Sequence, residues 1–408
     1  MKDAFIVDAI RTPIGNFGGT LAPVRTDDLA AIPIRELMAR NPTLDPKAIE
    51  DLIFGCANQA GEDNRNVARM ALLLAGLPWS VGGETVNRLC ASGMASTINA
   101  ARAIQTGNGD IYVSGGVENM TRGPWVISKA SKPFGRDSQM HDTSFGWRFI
   151  NPKMDDLYGT EGMGQTAENL VEMYGIEREA QDLFAYNSHM KAAAASESGR
   201  LAEEIVSVEI PQRRKDPIIF NQDEFIKPQT TIEKLGTLRA AFKKDARLPD
   251  GQGSVTAGNS SGLNDGAAAM LVASEQGMKD HGLKPMARIV SAAVAGVEPR
   301  IMGIGPVYAS EKALKRAGLT LADMDVIELN EAFAAQSLAC TRKMGLADDD
   351  SRVNPNGGAI AIGHPLGMSG ARILQTAAIQ LQKTQKRYAL VTMCIGVGQG
   401  YATVIERA

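Results

Sequence analysis

The chain has 408 residues, enough for two to three domains and a large buried core. Hydrophobic residues make up 44% and charged residues 22%, with 42 glycines, so disorder, collagen and coiled coil are excluded as its main description. A net charge of −3 excludes a global positive field that would draw in nucleic acid or an anionic membrane.

Met1 to Asp8 has the apolar character of a first strand, broken by Asp8. It lacks the features of a signal peptide, and no apolar run approaches the ~20 residues needed to span a bilayer. Cys56, Cys90, Cys340 and Cys394 are too far apart for a C-x-x-C motif, so free thiols and a cytoplasmic location are expected. Glu84–Leu89 predicts a strand, followed by Cys90 and a helix with Met94, Ile98, Ala101 and Ile104 on one face, ended by Gly107. The positive end of that helix is expected to favour thiolate at Cys90, lowering a pKa that starts near ~8.5.

From about 121 to 254 the texture changes to Pro, Lys and Asp with isolated helices (Thr166–Tyr174, Arg178–Gly199) and a strand at Ile205–Val208, which reads as an insertion. His141, His189 and His281 lie in polar stretches and are expected at the surface. Gly258-Asn259-Ser260-Ser261-Gly262 matches the G-x-S-x-G pattern of serine hydrolases, but the preceding Asp250–Ser254 is a poor strand for a nucleophile elbow.

The two ends of the chain resemble each other. Asp51-Leu52-Ile53 is echoed by Asp325-Val326-Ile327 and Gly93-Met94 by Gly367-Met368, both 274 residues on, and at that offset Cys90 falls opposite His364. His364 sits in a Gly-rich segment leading into a helix that carries Ala371, Leu374, Ala378 and Leu381 on one face. Cys394 closes a strand over Tyr388–Met393 and precedes Gly396, Gly398 and Gly400. Strand ends of this kind gather ligand sites in α/β sheets. No Walker A loop or complete G-x-G-x-x-G is present, which speaks against nucleotide chemistry.

With these residues in view the chain resembles the thiolase family over essentially its whole length. The matching segments are Asn87–Gly93, Asn330-Glu331-Ala332-Phe333-Ala334, Gly363-His364-Pro365 and Cys394–Gly400. Gly55–Asn66 and Gly146-Trp147-Arg148-Phe149-Ile150-Asn151-Pro152 are similar to the branch that acts on 3-oxoadipyl-CoA. The resemblance implies an α/β fold, a five-layered α-β-α-β-α sandwich of two duplicated αβαβαββ halves. One half would span 1–120, completed by about 255–275, and the other 276–408, with 121–254 an inserted coenzyme A-binding region.

It further implies Cys90 as nucleophile, His364 as its activator and Cys394 as acid/base. Asn330 would hold a water that stabilises an enolate, and the N–H groups of Cys90 and Gly396 would form an oxyanion hole. Ser261, Met163, Lys227, Phe242, Met302 and Phe333 would contact coenzyme A, a co-substrate, with no permanently bound cofactor or metal. CoA thioesters would be the partners of a homodimer or homotetramer. The expected reaction is cleavage of 3-oxoadipyl-CoA to succinyl-CoA and acetyl-CoA, with acetoacetyl-CoA or broader 3-ketoacyl-CoA thiolysis as the alternative. Gly162-Met163 stands where acetoacetyl-CoA thiolases often carry His-Met, which weighs against the short-chain role. A ketoacyl synthase would carry a second His in place of Cys394, and a silent scaffold would lack one of the three reactive groups. Arg148 is a candidate for binding the far carboxylate of the acyl chain, against the plainer reading of an interdomain salt bridge or a stack on Trp147.

Overall fold

A computed structural model describes residues 2–242 and 253–408. The N-terminal part runs β1 (Phe5–Arg11), α1 (Thr26–Arg40), β2 (Asp51–Gly55), α2 (Val67–Leu74), β3 (Gly82–Val86), α3 (Ser92–Gln105) and β4 (Ile111–Asn119). Two helices of the central region follow, α4 (Met163–Tyr174) and α5 (Arg178–Glu197), and then β5 (Asn264–Ala273). The C-terminal part runs β6 (Ala287–Gly296), α6 (Gly305–Ala317), β7 (Val326–Leu329), α7 (Ala334–Lys343), α8 (Leu366–Thr384), β8 (Tyr388–Ile395) and β9 (Gln399–Arg407). β4 and β5 are buried at every position, as strands covered on both faces must be.

The strands follow the order β7-β8-β9-β6-β1-β5-β4-β2-β3, which is near-symmetric about the β6–β1 junction. That junction is thin, only Phe5 opposite Arg288 and Ile6 opposite Ala287. On either side an antiparallel pair (β1–β5, β6–β9) leads to a second antiparallel pair (β5–β4, β9–β8) and then a parallel one (β4–β2, β8–β7). α3 and α8 start 274 residues apart, at Ser92 and Leu366. They pack on each other between the two halves of the sheet, with α1 and α2 outside one half and α6 outside the other. Three apolar cores fill the spaces, giving helix, sheet, helix, sheet and helix in five layers.

The duplication is imperfect. The C-terminal counterpart of β3 is reduced to a single parallel bridge between Val353 and Ile327. Asn354, in left-handed backbone at φ +43, and Pro355, which lacks an N–H, prevent a strand from continuing.

Several local expectations shift. The strand expected over Glu84–Leu89 stops at Val86, because Asn87–Cys90 forms a turn in which Leu89 takes φ +46. At Ile205 there is only a bridge to Arg11, and the strand begins at Val208. His189 is not at the surface: it is 2% exposed, and its Nδ1 accepts the backbone N–H of Lys227 at 3.2 Å. Its place on α5 between Ala185 and Ala192, one turn to either side, explains this. Ser260 is buried and donates to the Thr256 carbonyl at 2.7 Å, so the G-x-S-x-G match is a structural turn. Among the described residues no helix is long and apolar enough to cross a membrane.

Candidate active site

Cys90 occupies the turn from β3 into α3. Asn87 Oδ1 accepts the N–H of Leu89 at 2.9 Å, and Ser92 Oγ accepts the N–H of Arg88 at 2.8 Å while donating to the Leu89 carbonyl at 2.6 Å. These bonds hold Leu89 in its left-handed conformation, which a non-glycine residue adopts only when its surroundings impose it. The thiol is half-buried and receives the backbone N–H of Gly396.

The expected lowering of the Cys90 pKa is not what the site produces. Burial pushes the thiol up to about 11, the N–H groups of Gly396 and of Cys90 itself oppose that shift, and the charge of Glu118 adds to it. Removal of the thiolate from water outweighs the helix end.

His364 sits on the equivalent turn before α8, 5% exposed. Its backbone N–H donates to Asn264 Oδ1 at 2.9 Å. Ser369 Oγ donates to the Pro365 carbonyl at 2.7 Å and lies 2.6 Å from His364 Nδ1. With the hydroxyl proton so committed, the pattern assigns the ring proton to Nδ1 and leaves Nε2 a bare acceptor, 3.4 Å from Asn330 Nδ2. Burial, with Arg372 adding to it, lowers the imidazole pKa to about 3, so the ring is a neutral base. Asn330 Oδ1 is buried with no partner among the described residues.

Cys394 is the next-to-last residue of β8, 1% exposed, and its thiol is pushed well above its ordinary value by burial and then by the neighbouring Cys90. Asn330 and Cys394 come from adjacent parallel strands, the Asn330 N–H donating to the Thr392 carbonyl at 3.0 Å. The helices that follow Cys90 and His364 meet through main chain: a methyl group on Gly93 would stand 2.6 Å from the Gly367 carbonyl oxygen.

Gly363 has φ +114, and a methyl group there would lie 2.7 Å from both Asn264 Cγ and Ile14 Cγ2. Gly363→Ala is therefore expected to lose about 2–4 kcal/mol of stability through backbone strain and overpacking. It should also displace Asn264 from His364 and lower activity. A denaturant midpoint that gives a loss below about 1 kcal/mol would show that the loop yields instead.

Of the expected coenzyme A contacts, Met163 opens α4 beside the Gly396 loop, and Phe242 stands edge-to-face with Phe333 at 6.4 Å, against Gly164. Ser261 Oγ donates to the Ala332 carbonyl at 3.1 Å. Lys227 is exposed, with its ammonium 4.7 Å over the Phe225 ring, and that ring packs on Gly262. Met302 is 3% exposed in the same outer apolar core as Phe333, against which Phe242 also packs. Arg148 forms neither of the contacts of the plainer reading: among the described residues it has no acid partner and no stack on Trp147, and its Nη2 donates to Asn58 Oδ1 at 3.1 Å.

Sequence reasoning missed Ser369, Asn264, Asn87 and Glu118. Glu118 is buried and accepts the N–H groups of Ala57 and Gly367 on one oxygen, at 2.9 Å each, and that of Asn58 on the other at 3.0 Å. Burial raises it to about 7. Cys56, Asp63 and Glu118 have metal-ligand spacing. Asp63, however, accepts the N–H groups of Gly61 and Gln59 and the Cys56 thiol, so the donors converging on both carboxylates make this a braced loop and not a cation site.

The family described as "Thiolase, N-terminal domain" matches residues 4–276, and "Thiolase, C-terminal domain" matches residues 283–407. The chain is 57% identical to the 3-oxoadipyl-CoA/3-oxo-5,6-dehydrosuberyl-CoA thiolase of Escherichia coli K12, covering all of both chains. It is 56% identical, again over all of both, to a beta-ketoadipyl-CoA thiolase of Acinetobacter baylyi. The solved acetyl-CoA acetyltransferase of Bacillus anthracis superposes with a TM-score of 0.90 at 40% identity, covering 100% of this chain and 99% of that one.

Proposed function

Since the chain belongs to the thiolase family, we propose that it cleaves 3-oxoadipyl-CoA with coenzyme A to give succinyl-CoA and acetyl-CoA. The observation that carries this reading furthest is a half-buried Cys90 thiol that receives the Gly396 N–H and neighbours the Cys394 thiol, with His364, on the equivalent turn, keeping a bare, neutral imidazole nitrogen. The full-length likeness to thiolases named for 3-oxoadipyl-CoA supports the choice of acyl chain.

The residues suit the steps. Cys90 Sγ attacks the C3 ketone as its proton passes to His364 Nε2. A thiol near 11 beside an imidazole near 3 keeps its proton in the empty site, so proton removal accompanies attack. The C2–C3 bond breaks, leaving an acyl thioester on Cys90 and a thioester enolate. Asn330 and His364 face the enolate oxygen, with Asn330 Oδ1 the free acceptor for a water, and preorganised donors of this kind contribute on the order of 3–4 kcal/mol each. Cys394, protonated at rest, gives its proton to C2 and afterwards takes one from the coenzyme A thiol, which attacks the acyl-Cys90 thioester and expels the Cys90 thiolate, and that thiolate recovers its proton from His364 Nε2. The N–H groups of Cys90 and Gly396 face the thioester oxygen.

On this reading residues 121–254 form the inserted coenzyme A-binding region between halves 1–120 (completed by 255–275) and 276–408. Met163, Phe242, Phe333, Ser261 and Lys227 line the coenzyme A approach, while Met302 backs it from the core. The enzyme works in the cytoplasm as a homodimer or homotetramer, with no resident cofactor.

The test compares coenzyme A-dependent loss of 3-oxoadipyl-CoA and acetoacetyl-CoA by the purified protein. A clear preference for 3-oxoadipyl-CoA is expected. Preference for acetoacetyl-CoA would move the protein to the alternative, and no thiolysis of either would sink the reading.

A further inference from the structure

We propose that Arg148 and Asn58 together form the receptor for the far carboxylate of the acyl chain, an inference that rests on the 3-oxoadipyl-CoA reading above. Both neighbours of Arg148 are fixed. Trp147 Nε1 donates to the Glu161 carbonyl at 3.1 Å, and Phe149, in left-handed backbone at φ +50, stands edge-to-face with His141 at 4.8 Å. Between them the half-buried guanidinium has a neutral partner in Asn58 Oδ1 and no carboxylate within ion-pair reach among the described residues. Among the other buried or half-buried arginines, Arg11, Arg122 and Arg200 are salt-bridged to acids of this chain, Arg372 lies in the field of Glu328, Arg69 is taken up by the Val81 and Trp79 carbonyls, and Arg88 by Gln399 and the Tyr401 ring. Arg148 thus has most of its five donors available for the two-pronged grip a carboxylate takes.

Asn58 ties this cation to the reaction centre. Its Nδ2 donates to Thr143 Oγ1 at 3.2 Å, and that hydroxyl donates to the Pro124 carbonyl at 2.7 Å, which fixes the Asn58 amide with Oδ1 toward Arg148. The Asn58 N–H is held by Glu118 at 3.0 Å, and the preceding Ala57 carbonyl accepts Asn87 Nδ2 at 3.0 Å. Asn87 shapes the Cys90 turn, so the receptor is two hydrogen-bonded steps from the nucleophile's loop. Carbons 4 and 5 of the substrate would lead from the reacting ketone toward Arg148, where the carboxylate would meet a half-buried positive charge that no acid among the described residues neutralises. An unpaired carboxylate would be costly to bury beside the Cys90 turn without such a partner.

The experiment measures kcat/KM on 3-oxoadipyl-CoA and on 3-oxohexanoyl-CoA, which has a methyl group where the carboxylate would be. Arg148→Met is expected to lose roughly 30- to 150-fold on the diacid, equivalent to about 2–3 kcal/mol, and less than twofold on the neutral analogue. Asn58→Asp, which keeps the shape but neutralises the guanidinium, should show the same selective loss and serves if Arg148→Met does not fold. Equal losses on both substrates would overturn the receptor and leave Arg148 a tie between the loops, and so would no loss on either. If the wild-type protein itself does not prefer the diacid, the substrate reading fails instead, an outcome visible before any variant is made.

Discussion

Cys90→Ala is expected to lower thiolysis by on the order of 10⁴-fold or more and to abolish the acyl-enzyme, because no other nucleophile takes its place. The same residue should be the first thiol labelled by substoichiometric iodoacetamide, and 3-oxoacyl-CoA should protect it. The structure gives the reason: Cys56 and Cys340 are 0% exposed and Cys394 is 1% exposed, whereas Cys90 is half-buried. Peptide mapping that finds Cys56 or Cys340 labelled first would count against the assignment. Cys394→Ala should separate the steps. It should still form the acyl-enzyme, with turnover lowered by roughly 10²–10⁴ because only proton transfer at C2 and at coenzyme A is impaired.

The second large effect concerns His364 and the pH dependence it sets. Burial lowers this imidazole to about 3, so it is deprotonated, and competent as a base, throughout pH 5–8. An ordinary histidine near ~6.5 would lose nearly all its base form between about pH 8 and pH 5. His364→Asn is expected to lower kcat by roughly 10²–10⁴. The wild-type kcat/KM profile should lack an acid limb at ~6.5 that the variant removes. Alkylation of Cys90 should climb with pH beyond ~8.5 without levelling, because the thiol sits at about 11 in the empty site. A plateau near neutral pH would mean a preformed thiolate, and general-base attack would then be wrong.

The chemistry-bearing turns were legible because each is local: an apolar strand, a short run of small residues and a helix of regular period. The repeat at 274 residues is legible for the same reason, and it pairs Cys90 with His364 in the sequence itself. What set their protonation was not. The Cys90 thiol is raised by burial, with Met163 and Gly396 brought from two distant segments against the neighbouring Leu89, and no local pattern records that. Asn264, 100 residues from His364, and Glu118, 249 from Gly367, act across the fold with nothing in their own neighbourhoods to mark them. His189 is different: its helical spacing from Ala185 and Ala192 announced a buried face, and the polarity of nearby residues obscured it.

The close approach of Gly93 to the Gly367 carbonyl has a bearing on how such a protein tolerates change. A contact between side chains can drift, since one rotamer can replace another as neighbours are exchanged. Main chain pressed on main chain has no such freedom, and here it joins the helix that Cys90 precedes to the helix that His364 precedes. Substitutions in the outer layers would therefore be felt first as lost stability, long before the thiol and imidazole fell out of alignment. Descendants of one ancestor could diverge widely at their surfaces and still inherit the same reactive geometry.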